Sequence, residues 1–429
     1  MQHLNVCVIG GGSTYTPELV EGFIGRTSEL SVERLTLMDI DAHRLEIVGG
    51  LVQRMLNAVG SGIELRLSTD RAESLTGADY VLTQVRVGGM SARIRDEKIP
   101  LKYGVIGQET TGPGGFAKAL RTIPVMLALA ADMRRVAPDA RLINFTNPSG
   151  LVTQALSAYT DVEPIGLCNS PIGVLNAVAG LLNVEPQRIR LDYVGLNHLS
   201  WIRGVHLDGH DVIIDVIERA IIDDLQPQFA PELLRMLRML PSYYLDYYYN
   251  TDRVVREQQA ATKTRGEIVL EVDRNLLNMY KDPTLTTKPK EVEQRGGAHY
   301  SSAALSLILA IETDSGDVQI VNTLNRGAIP DLPDDAVVEI PCVIDRHGAR
   351  PVPCAPLPAS VRGLVQSVKA YEELTIKAGV EGDERAAMLA LTVHPLVPSF
   401  DVAKRLWKEI KEANAAESCR SSTERDEHA

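Results

Sequence analysis

The sequence predicts an α/β fold, with an N-terminal Rossmann-like doubly wound parallel sheet followed by a mixed α+β domain. Three observations support this prediction. Short apolar runs alternate with helix-compatible segments from residue 1 to about 195, as in a parallel sheet covered by helices. A glycine-rich turn directly follows the first apolar run. Beyond about residue 195 the alternation stops and longer helical segments predominate.

The first strand, over residues 6–9, runs into three consecutive glycines, and Pro17 stands near the start of the next helix. Glycine lets the backbone approach an anion that faces the first N–H groups of a helix. The match to the G-x-G-x-x-G pattern is incomplete, because Tyr15 stands where the third glycine belongs, and a glycine-rich turn without a ligand is the alternative. The residues expected to contact a dinucleotide are Gly10, Gly11, Gly12, Ser13 and Thr14.

The second strand, over residues 34–39, ends in Asp39. A carboxylate at this distance after the glycines accepts hydrogen bonds from the ribose hydroxyls of a dinucleotide, and it repels the 2′-phosphate of NADP. We therefore expect Asp39 to favour NAD. The alternative is an N-cap for the helix that starts near Ala42, a role that Asp41 also fits.

Four further strands continue the alternation, over residues 62–68, 79–85, 141–145 and 164–167. An amphipathic helix over residues 118–136 precedes the fifth strand, and Pro171 starts a helix after the sixth. Strands separated by helices pair in parallel, and ligands of such sheets collect beyond the carboxyl ends of the strands. The predicted NAD-binding domain covers residues 1–195.

The second half predicts a substrate domain over residues 196–414 and a flexible tail over 415–429. A strand over 199–207 leads to a turn, and helices are expected at 212–223, 231–240, 252–261 and 292–311. Two strands, at 319–323 and 336–345, come before three closing helices at 361–378, 383–391 and 400–413. The tail is polar and charged, as is typical of a solvated end.

Composition restricts the function classes. The chain has 429 residues, 45% hydrophobic and 23% charged, with a formal net charge of −12. This balance argues against nucleic acid and membrane surfaces as partners. We see neither a leader nor a membrane-spanning run and expect a cytoplasmic protein. The five cysteines are scattered without a CxxC pair, so they do not form a disulfide framework.

Cys168 and His198 form the most distinctive pair of candidate residues. Each follows an apolar run that reads as a strand, so the fold could bring the thiol and the imidazole together. Two such ligands would leave coordination positions for water and substrate oxygens. Two alternatives stay open from the residues alone: simple burial of both side chains, and a Cys/His nucleophile.

Other polar segments predict anion or proton chemistry. Arg95 lies in a charged run after a strand end, where its planar fork suits a phosphate, although a surface salt-bridged turn fits as well. Arg295 precedes two glycines and is a second candidate anion contact. Residues 107–115 read as a mobile glycine-rich loop near the cofactor. Five tyrosines crowd residues 243–249; such a stripe is usually packing, but a tyrosinate can be a general base beside a cation.

Taken together and in order, these motifs resemble glycoside hydrolase family 4, the NAD- and manganese-dependent glycosidases, and in particular its 6-phospho-beta-glucosidases. The resemblance covers roughly residues 5 to 410. The motifs that carry it are VIGGGSTYTPEL, RVGGM, GQETTGPGGF, NFTNPSG, LCNSP, GLNHL, YYLDYYY and RGGAHYS. Each motif is weak alone, but the ordered set is specific. The family is an exception to the two-carboxylate scheme of glycosidases.

The resemblance implies a role for each candidate. Cys168 and His198 would bind Mn²⁺, and the glycine turn with Asp39 would hold NAD. The implied reaction begins with transient oxidation of the sugar at C3 by NAD. Deprotonation at C2, elimination of the C1–O bond, hydration and re-reduction then follow. Tyr244 would take the C2 proton, with Tyr243 as the adjacent alternative. The implied sugar contacts are Asn147, Asn169, Arg95 and, assisting at the 6-phosphate, Arg295.

Substrate class and assembly follow from the same resemblance. An acid often follows the metal cysteine in members that act on alpha-glycosides, whereas Asn169 stands here and cannot donate a proton. We therefore expect a phosphorylated disaccharide or aryl glucoside of beta configuration, and a homodimer or homotetramer. The alternatives are a 6-phospho-alpha-glucosidase or alpha-galactosidase of the same family, or an NAD-dependent dehydrogenase on the same fold.

Overall fold

A nine-stranded sheet forms the centre of the molecule in a computed structural model, which describes the backbone of residues 3–295 and 300–426. A smaller sheet lies in the second half of the chain. The strands within these residues are β1 Leu4–Ile9, β2 Val32–Met38, β3 Glu64–Ser68, β4 Tyr80–Thr83, β5 Arg141–Asn144, β6 Ile165–Gly166, β7 Ile189–Leu196, β8 Leu199–Leu207, β9 His210–Asp211, β10 Leu240–Pro241, β11 Asp317–Leu324, β12 Val337–Asp345 and β13 Gly348–Pro351.

The helices cover both faces of the large sheet and build most of the second half. Short 3₁₀ turns occur at Pro186–Arg188, Tyr243–Leu245 and Lys290–Arg295. The helices are α1 Thr16–Gly25, α2 Ala42–Ala58, α3 Arg71–Leu75, α4 Gly89–Leu101, α5 Gly112–Val136, α6 Ser149–Tyr159, α7 Ser170–Leu182, α8 Ile213–Ile222, α9 Pro231–Leu237, α10 Asp246–Tyr249, α11 Thr251–Ala260, α12 Arg265–Tyr280, α13 Tyr300–Thr313, α14 Ala359–Glu381, α15 Glu384–Val393 and α16 Phe400–Asp426.

The first six strands lie in the spatial order β3-β2-β1-β4-β5-β6 and pair in parallel. This is the strand order of the Rossmann fold. The predicted fold class is therefore confirmed. Because the six carboxyl ends share one edge of the sheet, the glycine turn after β1 and Cys168 after β6 face the same side. They are three strands apart, about 14 Å at ordinary strand spacing.

The large sheet continues beyond β6 with strands from the second half of the chain. β11 pairs antiparallel with β6, and β12 and β13 follow outward. The predicted strands at 319–323 and 336–345 correspond to β11 and β12, but they extend the N-terminal sheet instead of forming a separate one. The smaller sheet contains β10, β8 and β7 in that order, with β9 beside β8.

Two predictions in the second half need correction. The expected helix over 292–311 is wrong in its first part, because a 3₁₀ turn ends at Arg295 and α13 begins at Tyr300; residues 296–299 lie outside the described ones. Helix α12 was missed, although Thr264 and Glu267 form a reciprocal capping box at its start, a pattern readable from the sequence. The last helix, α16, continues past residue 415, and the flexibility of the tail stays a prediction.

Helix α5 is long and apolar enough to cross a membrane by length and composition alone. In the fold, 61% of that apolar stretch is buried inside the protein. Its apolar character is thus that of a core helix packed against the sheet. Among the described residues, Cys7, Cys168, Cys342 and Cys354 are free thiols, in agreement with the prediction that no disulfide framework exists.

A buried lysine, paired with a glutamate on its own helix, fastens α14 to the rest of the core. Lys369 is 2% exposed, and its ammonium donates to Gln154 Oε1 at 2.7 Å and to the carbonyl oxygen of Val337 at 2.8 Å. It also forms an ion pair with the Glu372 carboxylate. These contacts satisfy all three donors of the ammonium, so the charge is tolerated inside the protein.

We expect Lys369→Met to lower the free energy of unfolding by about 3–5 kcal/mol, because the substitution leaves the buried Glu372 carboxylate without its cation. The urea midpoint at neutral pH measures the change. Lys377→Met is the matched control on the same helix, since that side chain is 49% exposed. Equal midpoints for the two variants would contradict the importance of the buried pair.

Candidate active site

The glycine turn after β1 is shaped by close backbone packing. Gly10 has φ +92°, which lies in the left-handed region that favours glycine. The Gly12 N–H donates to Asp39 Oδ2 at 2.9 Å, and a Cβ at Gly12 would lie 2.9 Å from that same oxygen. The turn and the strand-end carboxylate therefore form one unit at the carboxyl edge of the sheet.

Asp39 is not the N-cap of the following helix. The side chain of Asp41 caps α2 by accepting from the Arg44 N–H at 2.9 Å, which excludes the alternative role for Asp39. Asp39 Oδ1 accepts from the Asp41 N–H at 3.1 Å. Burial raises the pKa of Asp39, although hydrogen bonds from Asp41 and Gly12 partly offset the increase. The carboxylate keeps spare acceptor sites for a ribose.

The next two residues differ from each other in exposure. Ser13 is half-buried at the surface of the turn, but Thr14 is 0% exposed, and its hydroxyl donates to Asp273 Oδ1 at 2.8 Å. The Thr14 carbonyl accepts from the Tyr280 hydroxyl at 2.7 Å. The Thr14 side chain supports the turn from below, and helix α12 supplies its partners. The expected contact of Thr14 with a dinucleotide stays a prediction.

Arg295 lies against this same turn. Its Nη1 is 3.1 Å from Ser13 Oγ and 2.5 Å from Thr14 Oγ1, and its guanidinium stacks over the Tyr15 ring at 4.6 Å. Tyr15, the residue in place of the third glycine, thus holds a cation beside the turn. This position suits a dinucleotide phosphate, whereas the expected assistance at a sugar phosphate stays a prediction.

Cys168 and His198 are brought together, as the sequence predicts. Cys168 Sγ lies 3.7 Å from His198 Nε2. Cys168 follows β6 at the carboxyl edge, and His198 is at the tip of the two-residue hairpin between β7 and β8. His198 has φ +63°, a conformation that costs of order 1–3 kcal/mol outside glycine and is typical of functional positions.

The register of the small sheet places Tyr243 and Tyr244 close to His198. β10 pairs antiparallel with β8, with Pro241 opposite Trp201, so the chain after β10 runs back toward the hairpin tip. The Tyr244 ring stacks on the His198 imidazole, with centroids 3.6 Å apart and planes at 16°. Tyr243 lies beside Tyr244, at 4.2 Å between centroids. Both tyrosines therefore border the cysteine–histidine pair.

Burial sets the charge state of this pair. It raises the pKa of Cys168 to about 11, with the Glu339 carboxylate adding to the effect, and the sulfur lies among hydrogen bonds from Ser170 and Asn197 that oppose it. Burial also lowers the pKa of His198 to about 3, and Lys118 contributes in the same direction. Without an ion both groups are neutral at pH 7, and a metal ion would release the thiol proton on binding.

Tyr244 is likewise a neutral phenol without an added cation. Burial raises the pKa of its hydroxyl well above the usual value, and Tyr243 and Cys168 add to this. Only a positive charge close by would make it a useful base. A divalent ion between Cys168 and His198 would supply such a charge.

The two asparagines flank the pair. Asn169 directly follows Cys168 at the start of α7, and its Oδ1 is 3.9 Å from the cysteine sulfur. Asn147 follows β5 on the same edge, and its Oδ1 is one of the buried atoms without a hydrogen-bond partner among the described residues. A buried acceptor of this kind fits a donor from outside the chain, such as a sugar hydroxyl.

A buried charge cluster lies next to the hairpin tip. Glu109 accepts from Lys118 Nζ at 2.9 Å and lies 2.8 Å from Arg93 Nη1, and it also pairs with Arg86. Burial alone would raise the pKa of Glu109, but the three cations outweigh it and hold that pKa well below its usual range. Arg93 also pairs with Glu97. Arg86, Arg93 and Lys118 thus face two carboxylates, and positive charge remains in excess.

Arg95 is on helix α4, two residues after Arg93. Positions two apart point to different sides of a helix, and the arginine of α4 that pairs with Glu109 is Arg93. Arg95 is half-buried, and its expected contact with a sugar phosphate stays a prediction. The notion of a surface turn here is wrong, because Asp96 and Glu97 are each 2% exposed.

Glu339 and Thr110 contribute to the site but were not predicted. Glu339 Oε1 accepts from Asn197 Nδ2 at 2.9 Å, and Oε2 accepts from the Tyr193 hydroxyl at 2.8 Å, which pins the hairpin from below. Thr110 Oγ1 lies 2.9 Å from His198 Nδ1. A lone glutamate inside the apolar run of β12 was the readable signal for Glu339; nothing in the sequence singled out Thr110.

The residues present fit a divalent ion. Sulfur and imidazole nitrogen face each other, and the second imidazole nitrogen has its own partner, as in ligating histidines. Within the described residues, no group of three or more His, Cys, Asp or Glu side chains could hold a metal. Two protein ligands would leave the remaining positions to water and substrate oxygens, as predicted.

Comparison with known proteins assigns the family. Residues 5–184 match the model of the family 4 glycosyl hydrolases, and residues 193–397 match that of their C-terminal domain. A probable 6-phospho-beta-glucosidase of Bacillus subtilis strain 168 is 46% identical over 428 residues, which cover 96% of this chain and 97% of the relative. The chain belongs to glycosyl hydrolase family 4. The resemblance read from the ordered motifs is therefore confirmed, and the protein is a glycosidase.

Solved family 4 structures share the whole fold. The 6-phospho-beta glucosidase of Thermotoga maritima, solved with manganese, NAD⁺ and glucose-6-phosphate, has a TM-score of 0.90 and 36% identity, and the match covers 96% of this chain and 99% of that one. A 6-phospho-alpha-glucosidase from gut microorganisms, in complex with NAD and Mn²⁺, has a TM-score of 0.89 and 27% identity, with 97% and 99% covered.

We expect Gly12→Ala to destabilise this family 4 protein by about 1–3 kcal/mol, because the added methyl group would collide with the Asp39 carboxylate. Thermal unfolding measures the change. Gly25→Ala is the control, since a Cβ there meets no heavy atom of the described residues within 4 Å and alanine favours the helix. A variant at Gly12 as stable as the control would show that the turn relaxes freely.

Proposed function

We propose that this protein hydrolyses 6-phospho-beta-glucosides with bound NAD and Mn²⁺, by a redox-assisted elimination. The observation that carries the proposal is the approach of Cys168 Sγ to His198 Nε2, 3.7 Å apart, with the Tyr244 ring stacked on that imidazole. The relatives named for 6-phospho-beta-glucosidase activity, and the related structure solved with all three ligands, support the substrate and cofactor assignment.

In this proposal the metal ion and the dinucleotide bind at two neighbouring places along the carboxyl edge of the large sheet. Cys168 and His198 would hold Mn²⁺, while the Gly12 turn, Asp39 and Arg295 would hold the dinucleotide. When bound, NAD takes and later returns a hydride at C3 of the sugar, and Mn²⁺ stabilises negative charge on the sugar oxygens. Asn147 and Asn169 orient the sugar through its hydroxyl groups.

Tyr244 moves the proton that makes bond cleavage possible. A ketone at C3 acidifies the hydrogen at C2, Tyr244 takes that proton, and the bond from C1 to the leaving oxygen breaks by elimination. Water then adds at C1. Burial raises the pKa of the Tyr244 phenol, and a divalent ion held by Cys168 and His198 would lower it.

Electrostatics and the residue after the cysteine support the substrate class. The cations around Glu109 leave an excess of positive charge beside the site, and a sugar phosphate is a suitable anion. Asn169 offers no acidic proton to a leaving group, which favours the beta anomer over the alpha anomer. Arg95 stays the proposed phosphate contact. Arg93, on the same helix, is the cation that pairs with Glu109.

We expect p-nitrophenyl 6-phospho-beta-glucoside to be cleaved only when NAD⁺ and Mn²⁺ are both present. Absorbance of released nitrophenol measures the rate, and the alpha anomer and the unphosphorylated glucoside serve as comparison substrates. Deuterium at C2 should slow cleavage, because that C–H bond breaks in the reaction. Recycling of the dinucleotide predicts no net accumulation of NADH at 340 nm.

Three results would refute parts of this proposal. Full activity after chelation would exclude the metal at Cys168 and His198. Stoichiometric NADH formation would favour the dehydrogenase alternative. Faster cleavage of the alpha anomer would make the protein a family member of the other specificity.

We expect Tyr244→Phe to lower kcat by about 10²–10⁴-fold with little change in KM, as for the loss of a general base. Tyr243→Phe is the matched comparison, because that ring is adjacent but 51% exposed. Thermal unfolding of both variants checks that the fold is kept. If kcat falls further in Tyr243→Phe than in Tyr244→Phe, Tyr243 and not Tyr244 is the base.

A further inference from the structure

The loop before helix α5 makes a directed contact with His198. His198 Nδ1 lies 2.9 Å from Thr110 Oγ1, and Thr110 Oγ1 lies 2.9 Å from Gln108 Oε1. These residues belong to the glycine-rich segment 107–115, which the sequence presents as a mobile loop. In the fold, residues 112–115 form the start of α5 instead of a loop. In the remaining part of the segment, Glu109 belongs to the buried charge cluster and Thr110 contacts the imidazole.

The direction of each hydrogen bond in this chain can be deduced. The Thr110 backbone N–H and the Thr110 hydroxyl both point at the same atom of the Gln108 side chain. Two donors require an acceptor, so that atom is the amide oxygen. The threonine hydroxyl has only one hydrogen, and it is used on Gln108. Thr110 Oγ1 can therefore only accept from His198, whose proton must be on Nδ1.

The consequence is a fixed tautomer of the imidazole. With the proton on Nδ1, the lone pair is on Nε2, and Nε2 is the nitrogen that faces Cys168 Sγ at 3.7 Å. Ligating histidines in proteins are oriented in this way by the partner of the other ring nitrogen, and loss of that partner weakens metal binding.

Anchors on both sides keep the threonine in place. The Gly107 N–H donates to Gln258 Oε1 at 2.9 Å, and Glu109 is held by Lys118 and Arg93. The next residue, Thr111, offers a contrast, because its hydroxyl is buried without a hydrogen-bond partner among the described residues. Thr111 is therefore a comparison site directly beside Thr110 whose hydroxyl makes no hydrogen bond to the imidazole or to Gln108.

We propose that Gln108 and Thr110 are positioning residues that hold His198 as the Nδ1–H tautomer and so present Nε2, together with Cys168, to the metal ion. The inference deepens the proposed function and rests on its metal site. Gln108 acts through Thr110, and Thr110 acts through His198. Neither side chain needs to touch the substrate.

Manganese affinity of the enzyme without substrate tests this proposal, with free Mn²⁺ measured by electron paramagnetic resonance. We expect Thr110→Val to weaken Mn²⁺ binding by ~10–100-fold, the loss typical of a missing partner behind a ligating histidine. Thr110→Ser keeps the hydroxyl and should restore most of the affinity. Thr111→Val should leave the affinity at the value of the parent enzyme. Thermal unfolding and NAD binding verify that each variant is folded.

A second measurement observes the tautomer without any metal. Selective ¹⁵N labelling of the nine histidines and long-range ¹H–¹⁵N correlation spectra distinguish the two neutral forms of His198, which His198→Asn identifies by the lost signal. We expect the Nδ1–H form in the parent enzyme, in Thr110→Ser and in Thr111→Val. In Thr110→Val the Nε2–H form should appear.

The outcomes separate this inference from the proposed function. A parent enzyme that binds no Mn²⁺, or binds it equally well after Cys168→Ser, would refute the metal site. Parental Mn²⁺ affinity in Thr110→Val, or an Nε2–H tautomer in the parent enzyme, would refute the positioning role while leaving the metal site intact. If Thr110→Val and Thr111→Val lose Mn²⁺ affinity equally, the loss comes from disturbed packing and the proposal is also overturned.

Discussion

The approach of a cysteine sulfur to a histidine nitrogen is the constraint on which the site depends. Cys168 follows a strand of the large sheet, whereas His198 is at the tip of a hairpin in the small sheet. Glu339, on β12 of the large sheet, holds that hairpin through Asn197 and Tyr193. The two sheets are therefore joined by buried hydrogen bonds at the point where Cys168 and His198 meet, and a shift of either sheet would separate the two side chains.

Burial gives this pair its chemical character. A desolvated thiol keeps its proton and a desolvated imidazole stays neutral, so neither Cys168 nor His198 carries a positive charge that would repel a cation. The same burial raises the pKa of Tyr244 and keeps its phenol protonated. In the proposed reaction a bound divalent ion would offset this effect, and the excess positive charge around Glu109 would attract an anionic substrate.

The two halves of the chain also contact each other away from Cys168 and His198. Strands β11 to β13 extend the N-terminal sheet, and helix α12 supplies Asp273 and Tyr280 to the glycine turn. The predicted domain boundary near residue 195 thus marks a change in sequence pattern, although both halves contribute to one sheet and to the surroundings of the glycine turn. Arg295, read from the sequence as a second anion contact, joins the turn for the same reason.

The sequence by itself determined the parallel sheet, the glycine turn with its acidic partner, the family, and the pair Cys168 and His198. These features depend on local patterns: apolar runs of strand length, glycines at a turn, and polar residues directly after strands. Only the tertiary structure decided that Thr14 is buried beneath the turn, that Arg86 and Arg93 both pair with Glu109, and that Thr110 lies against His198. The hydrogen bond from His198 joins residues 88 positions apart, and no local pattern encodes which distant side chains the packing of sheets and helices brings into contact.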